Sequence, residues 1–182
     1  MSNGLAGAVV WAVVPFVPEA PFRIYAGPAH DPIEVARPTK LISAARKGSD
    51  TEFTFLVPAK ARPILIVADR ADPRLGELLA LRLLRLSLLG AEQQDLVRGG
   101  ADPGLLYLDP DRFTLPEENA VMIAALVRIH RNAVDARPAG RLEPDELANV
   151  HERIVRHYAL DMRGLVKSEL ERLAAAQKRR SR

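Results

Sequence analysis

Apolar residues along this chain form short runs that are separated by prolines and charged residues. Residues 7–14 (GAVVWAVV) and 62–68 (RPILIVA) are rich in valine and isoleucine, which is typical of buried β-strands. Residues 51–57 alternate well enough for a strand, residues 105–108 form a short apolar run, and residues 120–130 mix β-branched with small residues. The pattern predicts several short strands spread over most of the chain.

Prolines dominate residues 15–38, where six of them fall: Pro15, Pro18, Pro21, Pro28, Pro32 and Pro38. An internal proline removes a helical hydrogen bond and clashes with the preceding turn, so no regular helix fits here. We expect a long loop that contains short extended pieces, such as residues 22–25 (FRIY).

Residues 75–89 (LGELLALRLLRLSLL) permit two structures. Their leucine density and the following Gly90 favour a helix. The leucines also fit the faces of a strand if a bulge interrupts the alternation. Propensity alone favours the helix, which leaves open an unrelated helical protein in which this stretch is a buried helix.

The C-terminal part of the chain predicts helices. Residues 143–147 (EPDEL) place a proline in a first helical turn, with acidic residues near the positive end of the helix dipole. An apolar stripe at helical spacing follows: Leu147, Val150, Ile154 and Tyr158. Strands followed by late helices predict an α+β fold, mainly β, in the form of a small antiparallel barrel.

Composition places the chain among ordinary globular proteins. Its 182 residues are 48% hydrophobic and 27% charged, which is enough for a core without disulfides. The absence of cysteine excludes a thiolate nucleophile and a cysteine-ligated metal, and the four histidines lack a metal-binding spacing, so we expect no cofactor. Residues 1–14 lack a basic start and are too short to span a bilayer, so we expect a cytoplasmic protein without membrane attachment.

Arg62 is the clearest candidate for chemistry, because it stands directly before Pro63 and an apolar run. Proline suits the first residue of a strand, so Arg62 is predicted to lie at the mouth of a sheet and not to be buried. A guanidinium held there can bind a phosphate with two parallel hydrogen bonds. The alternative interpretation is a polar loop that simply enters a core strand.

Aromatic residues make up 5% of the chain, and no run of them forms a platform on which single-stranded bases could stack. Trp11 is predicted to lie in the core. Any recognition of RNA sequence is therefore expected to depend on loops and polar groups.

Three stretches of the chain, taken in order, resemble the PemK/MazF family of toxin-like proteins. Residues 7–11 (GAVVW) resemble the family's opening strand, residues 62–67 (RPILIV) its Arg-Pro strand, and residues 140–147 (GRLEPDEL) its turn into the C-terminal helix. The resemblance implies an SH3-like barrel that forms a homodimer. It also implies a metal-independent endoribonuclease that is paired with an antitoxin, here expected to be small and acidic.

The family's functional residues carry over to two positions. The arginine before proline falls on Arg62 and the family's threonine falls near Ser87, so these are the implied catalytic residues. RNA would be cut by attack of a 2′-OH on the adjacent phosphate, with Arg62 stabilising the negative charge and the Ser87 hydroxyl as a further donor. The resemblance also makes residues 79–88 a strand. The residues expected to contact RNA are Arg37, Lys60, Arg82, Arg85 and His130.

The resemblance also divides the chain. Residues 1–160 form the barrel domain, in which residues 17–60 are a Pro-rich insertion longer than the family's usual loop, and residues 161–182 form a C-terminal helix and a basic tail. The insertion carries a second Arg-Pro pair at Arg37, which ranks behind Arg62 because a less apolar run follows it. Serine in place of threonine leaves a second hypothesis open: a catalytically degenerate barrel that binds nucleic acid or a partner.

Overall fold

A computed structural model describes residues 4–17, 21–25, 33–35, 54–69, 76–135 and 137–160, together with residues 166, 167 and 170. The chain divides into two compact units, a larger one formed by Met1–Ala12 with Pro63–Arg182 and a smaller one formed by Val13–Arg62. Arg37 and most of the predicted tail lie outside the described residues.

The fold is α+β and mainly β, as the sequence predicts. The strands are β1 (Ala8–Pro15), β2 (Phe22–Tyr25), β3 (Ile33–Val35), β4 (Thr54–Leu56), β5 (Ala59–Ala68), β6 (Glu77–Arg85), β7 (Leu105–Leu108), β8 (Asn119–His130) and β9 (Gly140–Arg141). The helices are α1 (Ala91–Arg98), α2 (Pro110–Phe113) and α3 (Pro144–His157), and 3₁₀ turns span Leu86–Leu88 and Arg131–Ala133. Within the described ranges, no helix combines the length and the apolar character that crossing a bilayer requires.

A six-stranded, mainly antiparallel sheet curls into a half-barrel and forms the base of the larger unit, with the strand order β7-β8-β6-β5-β1-β9. β6 lies near its centre, paired with β5 and β8. Its Leu78, Leu81 and Leu83 are all buried, because the pairing with β8 shifts register between Leu81 and Leu83. The helix that propensity favours for this leucine-rich stretch is therefore wrong, and the bulged strand is right, since packing on both sides outweighs propensity.

β6 is shorter than the resemblance implies. The strand ends at Arg85, and the next three residues form the 3₁₀ turn Leu86–Leu88. Ser87 consequently lies in a turn and not on a strand.

β5 begins earlier than the Arg-Pro pair predicts. The strand starts at Ala59, so that Arg62 and Pro63 lie inside it. Its register with β6 starts with the pair Ile64 and Arg82, directly after the proline. Proline has no N–H to donate to a neighbouring strand. None is needed toward β6 at Pro63, because the pairing with β6 begins at the next residue.

The main core of the larger unit lies between the sheet and α3. Buried side chains from β1, β5, β6 and β8 contact the helix residues Val150 and Ile154, and the partly buried Leu147 packs against them. These are three of the four residues of the predicted stripe. The fourth, Tyr158, is exposed at the end of α3, where its hydroxyl donates to the carbonyl of Ala124 at 3.0 Å.

The turn into α3 depends on a close approach at Gly140. A Cβ on this residue would lie 2.6 Å from Cδ1 and 2.9 Å from Cα of Phe113, so only glycine fits. Pro144 opens the helix, and the Glu146 carboxylate accepts the Glu143 N–H at 2.7 Å. Arg112 donates twice to the same carboxylate, at 2.6 Å each, and lowers the pKa of Glu146. These contacts give a structural role to most of residues 140–147, the third family-like stretch.

The smaller unit contains a three-stranded sheet of its own, with the order β3-β2-β4 and antiparallel pairing. β2 matches the predicted extended piece in the proline-rich stretch. Ile24 on β2 is buried, and Phe22 and Phe55 meet edge to face with ring centroids 5.9 Å apart. β4 likewise lies within the strand predicted over residues 51–57, and β3 adds a strand that the sequence does not predict.

Candidate functional site

The guanidinium of Arg62 lies over the ring of Phe16, within the smaller unit. Its Cζ is 5.3 Å from the ring centroid, a cation–π distance. Arg62 is half-buried, and its Nε is buried without a hydrogen-bond partner among the residues that the structure describes. Leaving a buried donor of this kind unpaired is costly. Because the Nε is closed to solvent, a ligand that supplies acceptors would approach the guanidinium at its terminal nitrogens.

Phe16 is held in place by the backbone. Its N–H donates to the carbonyl of Pro58 at 2.8 Å, which ties the residue after β1 to the residue just before β5. The side chain itself is 42% exposed. Arg62 and Phe16 together therefore present a cation and an open aromatic surface side by side.

Two other predicted RNA contacts belong to the same stretch of chain. Lys60 is exposed on β5, two positions before Arg62. Arg37 lies outside the described residues. The structure thus places one further cation on the Arg62 strand and leaves the second Arg-Pro pair untested.

Ser87 is exposed at the middle of the 3₁₀ turn that follows β6. The turn is anchored by Leu86, whose side chain is buried and whose N–H donates to the carbonyl of Glu118 at 2.9 Å. The N–H of Leu89 closes the turn onto the carbonyl of Leu86 at 3.0 Å. The hydroxyl is accessible, and the backbone that carries it is fixed.

A pocket of about 220 Å³ opens beside Ser87. Its other lining residues are Gln94 of α1 and the two glutamates before β8, Glu117 and Glu118. Gln94 is oriented by its own hydrogen bond to the carbonyl of Leu89 at 2.8 Å. The surroundings of Ser87 are therefore acidic and amide in character.

Both glutamates are ion-paired with arginines. Glu117 lies 2.7 Å from the Arg85 guanidinium. Glu118 accepts from Arg98 at 2.9 and 2.7 Å and from the hydroxyl of Tyr107 at 2.9 Å. The bond to Arg98, followed by that to Tyr107, lowers the pKa of Glu118 to about 2. Through these contacts the two glutamates join β6, α1 and β7.

The same network acts on its other members. Burial raises the pKa of Tyr107, and its hydrogen bond to Glu118 adds to the effect. The bond to Glu118 raises the pKa of Arg98. Arg85, predicted as an RNA contact, directs its guanidinium to Glu117, so its charge is already balanced in part.

Arg82 is half-buried on β6, opposite Ile64 of β5. Its Nε is buried and lacks a hydrogen-bond partner in the described part of the chain. It lies where the pairing of β6 with β8 changes register, between Leu81 and Leu83. In this respect Arg82 resembles Arg62, although no aromatic contact of its guanidinium is present among the described residues.

His130 lies at the other end of β6 from Ser87. It pairs in register with Glu77, the first residue of a strand of nine residues, so about 26 Å of strand separates it from Arg85. Its Nδ1 accepts the N–H of Asn132 at 3.1 Å and caps the 3₁₀ turn that follows β8. The structure thus groups Arg85 with Ser87 and leaves His130 apart from them.

The sequence does not indicate that the aromatic rings of Trp11 and Phe16 are exposed. Trp11, predicted to lie in the core, is 38% exposed, and the contact of Phe16 with Arg62 has no signal in a local pattern. No group of three or more His, Asp or Glu side chains that could hold a metal ion occurs in the described ranges.

The fold is similar to that of several solved structures. One of them is an endoribonuclease in complex with its cognate antitoxin from a mycobacterial species, with 17% sequence identity and a TM-score of 0.39. The match covers 56% of this chain and 84% of that one. No family model matches the sequence, and neither does any curated protein.

Proposed function

We propose that the protein is a cytoplasmic toxin-like endoribonuclease that cuts RNA without a metal ion. The observation that carries the proposal is the guanidinium of Arg62, which lies over the ring of Phe16 and has a buried Nε without a partner among the described residues. A phosphate oxygen is the acceptor that suits a planar, always charged fork of donors. The resemblance of residues 62–67 to the Arg-Pro strand of the PemK/MazF family supports the choice of reaction.

The other two family-like stretches have structural roles in the fold. Gly7, which has a φ of 82°, donates to the carbonyl of Ile66 at 2.7 Å and accepts from Leu142 at 2.8 Å. Residues 140–147 build the turn into α3, as described above. Among these three stretches, Arg62 is the residue with a buried side-chain donor that no described residue pairs. This supports a functional role for Arg62 in particular.

The proposed reaction is attack of a ribose 2′-OH on the adjacent phosphate with departure of the 5′-oxygen. The P–O bond to the 2′-oxygen forms while that to the 5′-oxygen breaks, giving a 2′,3′-cyclic phosphate and a 5′-OH. Arg62 donates to the non-bridging oxygens, whose negative charge increases in the transition state. A guanidinium donates hydrogen bonds and has no acceptor, so Arg62 is assigned stabilisation of charge and not transfer of the protons. Ser87 is proposed as a further donor, and its contribution is tested separately.

The first experiment incubates the purified protein with a long structured RNA in EDTA and maps the cut ends. We expect 2′,3′-cyclic phosphate ends, and a rate lower by about 100- to 1,000-fold in Arg62→Ala. Arg62→Lys keeps the charge but loses the planar fork, so it is expected to recover only part of the rate. Arg23→Ala is the matched control, because it removes one exposed arginine charge from β2 in the same unit.

Two results would overturn this assignment. A folded wild-type protein that leaves RNA intact refutes the ribonuclease, and equal cleavage by wild type and Arg62→Ala refutes the site. Ser87→Ala separates the second donor: an unchanged rate assigns the phosphate contact to Arg62 alone, and a loss keeps Ser87 in the reaction.

Binding without cleavage is a second candidate function, and the acidic pocket beside Ser87 favours it. Two carboxylates near the hydroxyl repel a scissile phosphate, even when arginines balance part of their charge. In that case the same RNA stays intact but binds, with an affinity that falls steeply as the salt concentration rises. The partner and dimer that the resemblance implies, a small acidic antitoxin and a second copy, are compatible with both candidates.

A further inference from the structure

We infer that Phe16 stacks a nucleobase beside the phosphate that Arg62 binds. The inference rests on the proposed function, because it adds a base contact to the same phosphate site. It lies wholly within the smaller unit, whose Phe16 and Arg62 are 5.3 Å apart from ring centroid to Cζ.

The arrangement meets the geometric needs of such a site. The guanidinium lies over the ring, while 42% of the residue surface of Phe16 stays open to solvent. The guanidinium is planar, and its terminal N–H groups point outward in that plane, where a phosphate can accept from them. The hydrogen bond from the Phe16 N–H to the Pro58 carbonyl fixes the backbone that carries the ring.

Phe16 is as exposed as Phe55, and the guanidinium over its ring distinguishes it from that residue, whose aromatic neighbour is Phe22. Every nucleobase has a π-face, so an open aromatic ring beside a phosphate donor binds single strands with little sequence preference. In a duplex the bases are stacked on each other, and their faces are not available to the ring.

The test separates base contacts from phosphate contacts. Binding is measured by fluorescence anisotropy with a labelled single-stranded DNA dodecamer, which has no 2′-OH and cannot be cut by the proposed reaction. A second probe has the same phosphates but abasic residues throughout. We expect Phe16→Ala to weaken binding of the base-bearing strand by about 5- to 150-fold and to leave the abasic strand unaffected. Arg62→Ala weakens both.

Controls keep the interpretation specific. Phe55→Ala removes an aromatic ring of almost equal exposure, 43%, from the same unit, where its neighbour is Phe22 and not an arginine. It should bind both probes as the wild type does. Phe16→Trp retains a stacking face and should keep the affinity for bases, with circular dichroism and the melting temperature confirming that each variant is folded.

Each contrary outcome is decisive. Equal losses of Phe16→Ala on both probes mean that the ring only positions Arg62 and overturn the stacking inference. Unchanged affinities for both probes also overturn it and point to a protein partner for this surface. Wild-type protein that binds neither strand overturns the phosphate site as well, whereas binding of both strands that depends on Arg62 but not on Phe16 leaves the proposed function intact.

Discussion

Arg98 and Arg112 each bind a glutamate side chain through two nitrogens, Glu118 and Glu146 respectively. Arg62 makes no ion pair with a described carboxylate and rests on a ring instead. A paired arginine uses its directional donors in hydrogen bonds within the protein. By contrast, the Nε of Arg62 has no partner among the described residues. At the scale of the residue, the neighbours of an arginine therefore indicate its role better than its charge does.

Gly140 offers a prediction at the same scale. Gly140→Ala forces a Cβ against the backbone of Phe113, and overpacking of this kind typically destabilises a protein by about 1–3 kcal/mol. Urea unfolding would measure the loss. Gly104→Ala is the control, because its Cβ would meet Asp102 Oδ1 at an ordinary 3.5 Å. Equal unfolding midpoints for the two variants would show that the turn relaxes around the added methyl group.

The limits of prediction differ between elements for physical reasons. β7 and the start of α3 follow from local signals, an apolar run and a proline-led first turn. β6 could not be decided locally, since its leucines suit a helix until strands pair on both sides. α1 was not predicted, because its sequence (AEQQDLVR) buries only Val97 and so lacks an apolar stripe.

The candidate site shows the same division. Arg62 is a candidate from the sequence because an arginine before proline and an apolar run is a local signal. The aromatic partner is not, because the contact depends on a backbone bond between Phe16 and Pro58, which are far apart in the chain. The environment of Ser87 depends likewise on Glu117 and Glu118, which precede a different strand.

The network around Glu118 connects α1, β7 and the turn before β8, and it predicts a pH dependence. The pKa of Glu118 is about 2 in the folded protein, below its ordinary value of 4.5. A lowered folded-state pKa stabilises the protein fully above pH 4.5, and this stability is lost as the pH falls toward 2. The melting temperature of Glu118→Gln should therefore be lower at pH 6 and should fall less between pH 4.5 and 2.5.

Glu92→Gln is the control for this titration. Glu92 is an exposed residue of α1 that makes no ion pair with a described residue. Its melting curve should follow that of the wild type across the same pH range. Parallel pH profiles for wild type and Glu118→Gln would mean that the network does not control acid stability.

At the scale of the whole molecule, the proposed ribonuclease activity predicts an effect on cells. A ribonuclease that cuts cellular RNA arrests growth when its gene is expressed without an antitoxin, and Arg62→Ala should remove that arrest. Arg23→Ala should slow growth as the wild type does. Growth curves with matched expression levels measure the difference, and equal growth of wild type and Arg62→Ala would count against a toxin.

The smaller unit joins the rest of the chain at Ala12 and Pro63, on β1 and β5, which are neighbours in the six-stranded sheet. A segment that leaves one strand and returns on the adjacent one can lengthen at low entropic cost, because closure entropy grows only logarithmically with length. Evolution can therefore remodel this segment without changing the register of the sheet. Since Arg62 and Phe16 both belong to it, the proposed binding site can change there while the sheet keeps its register.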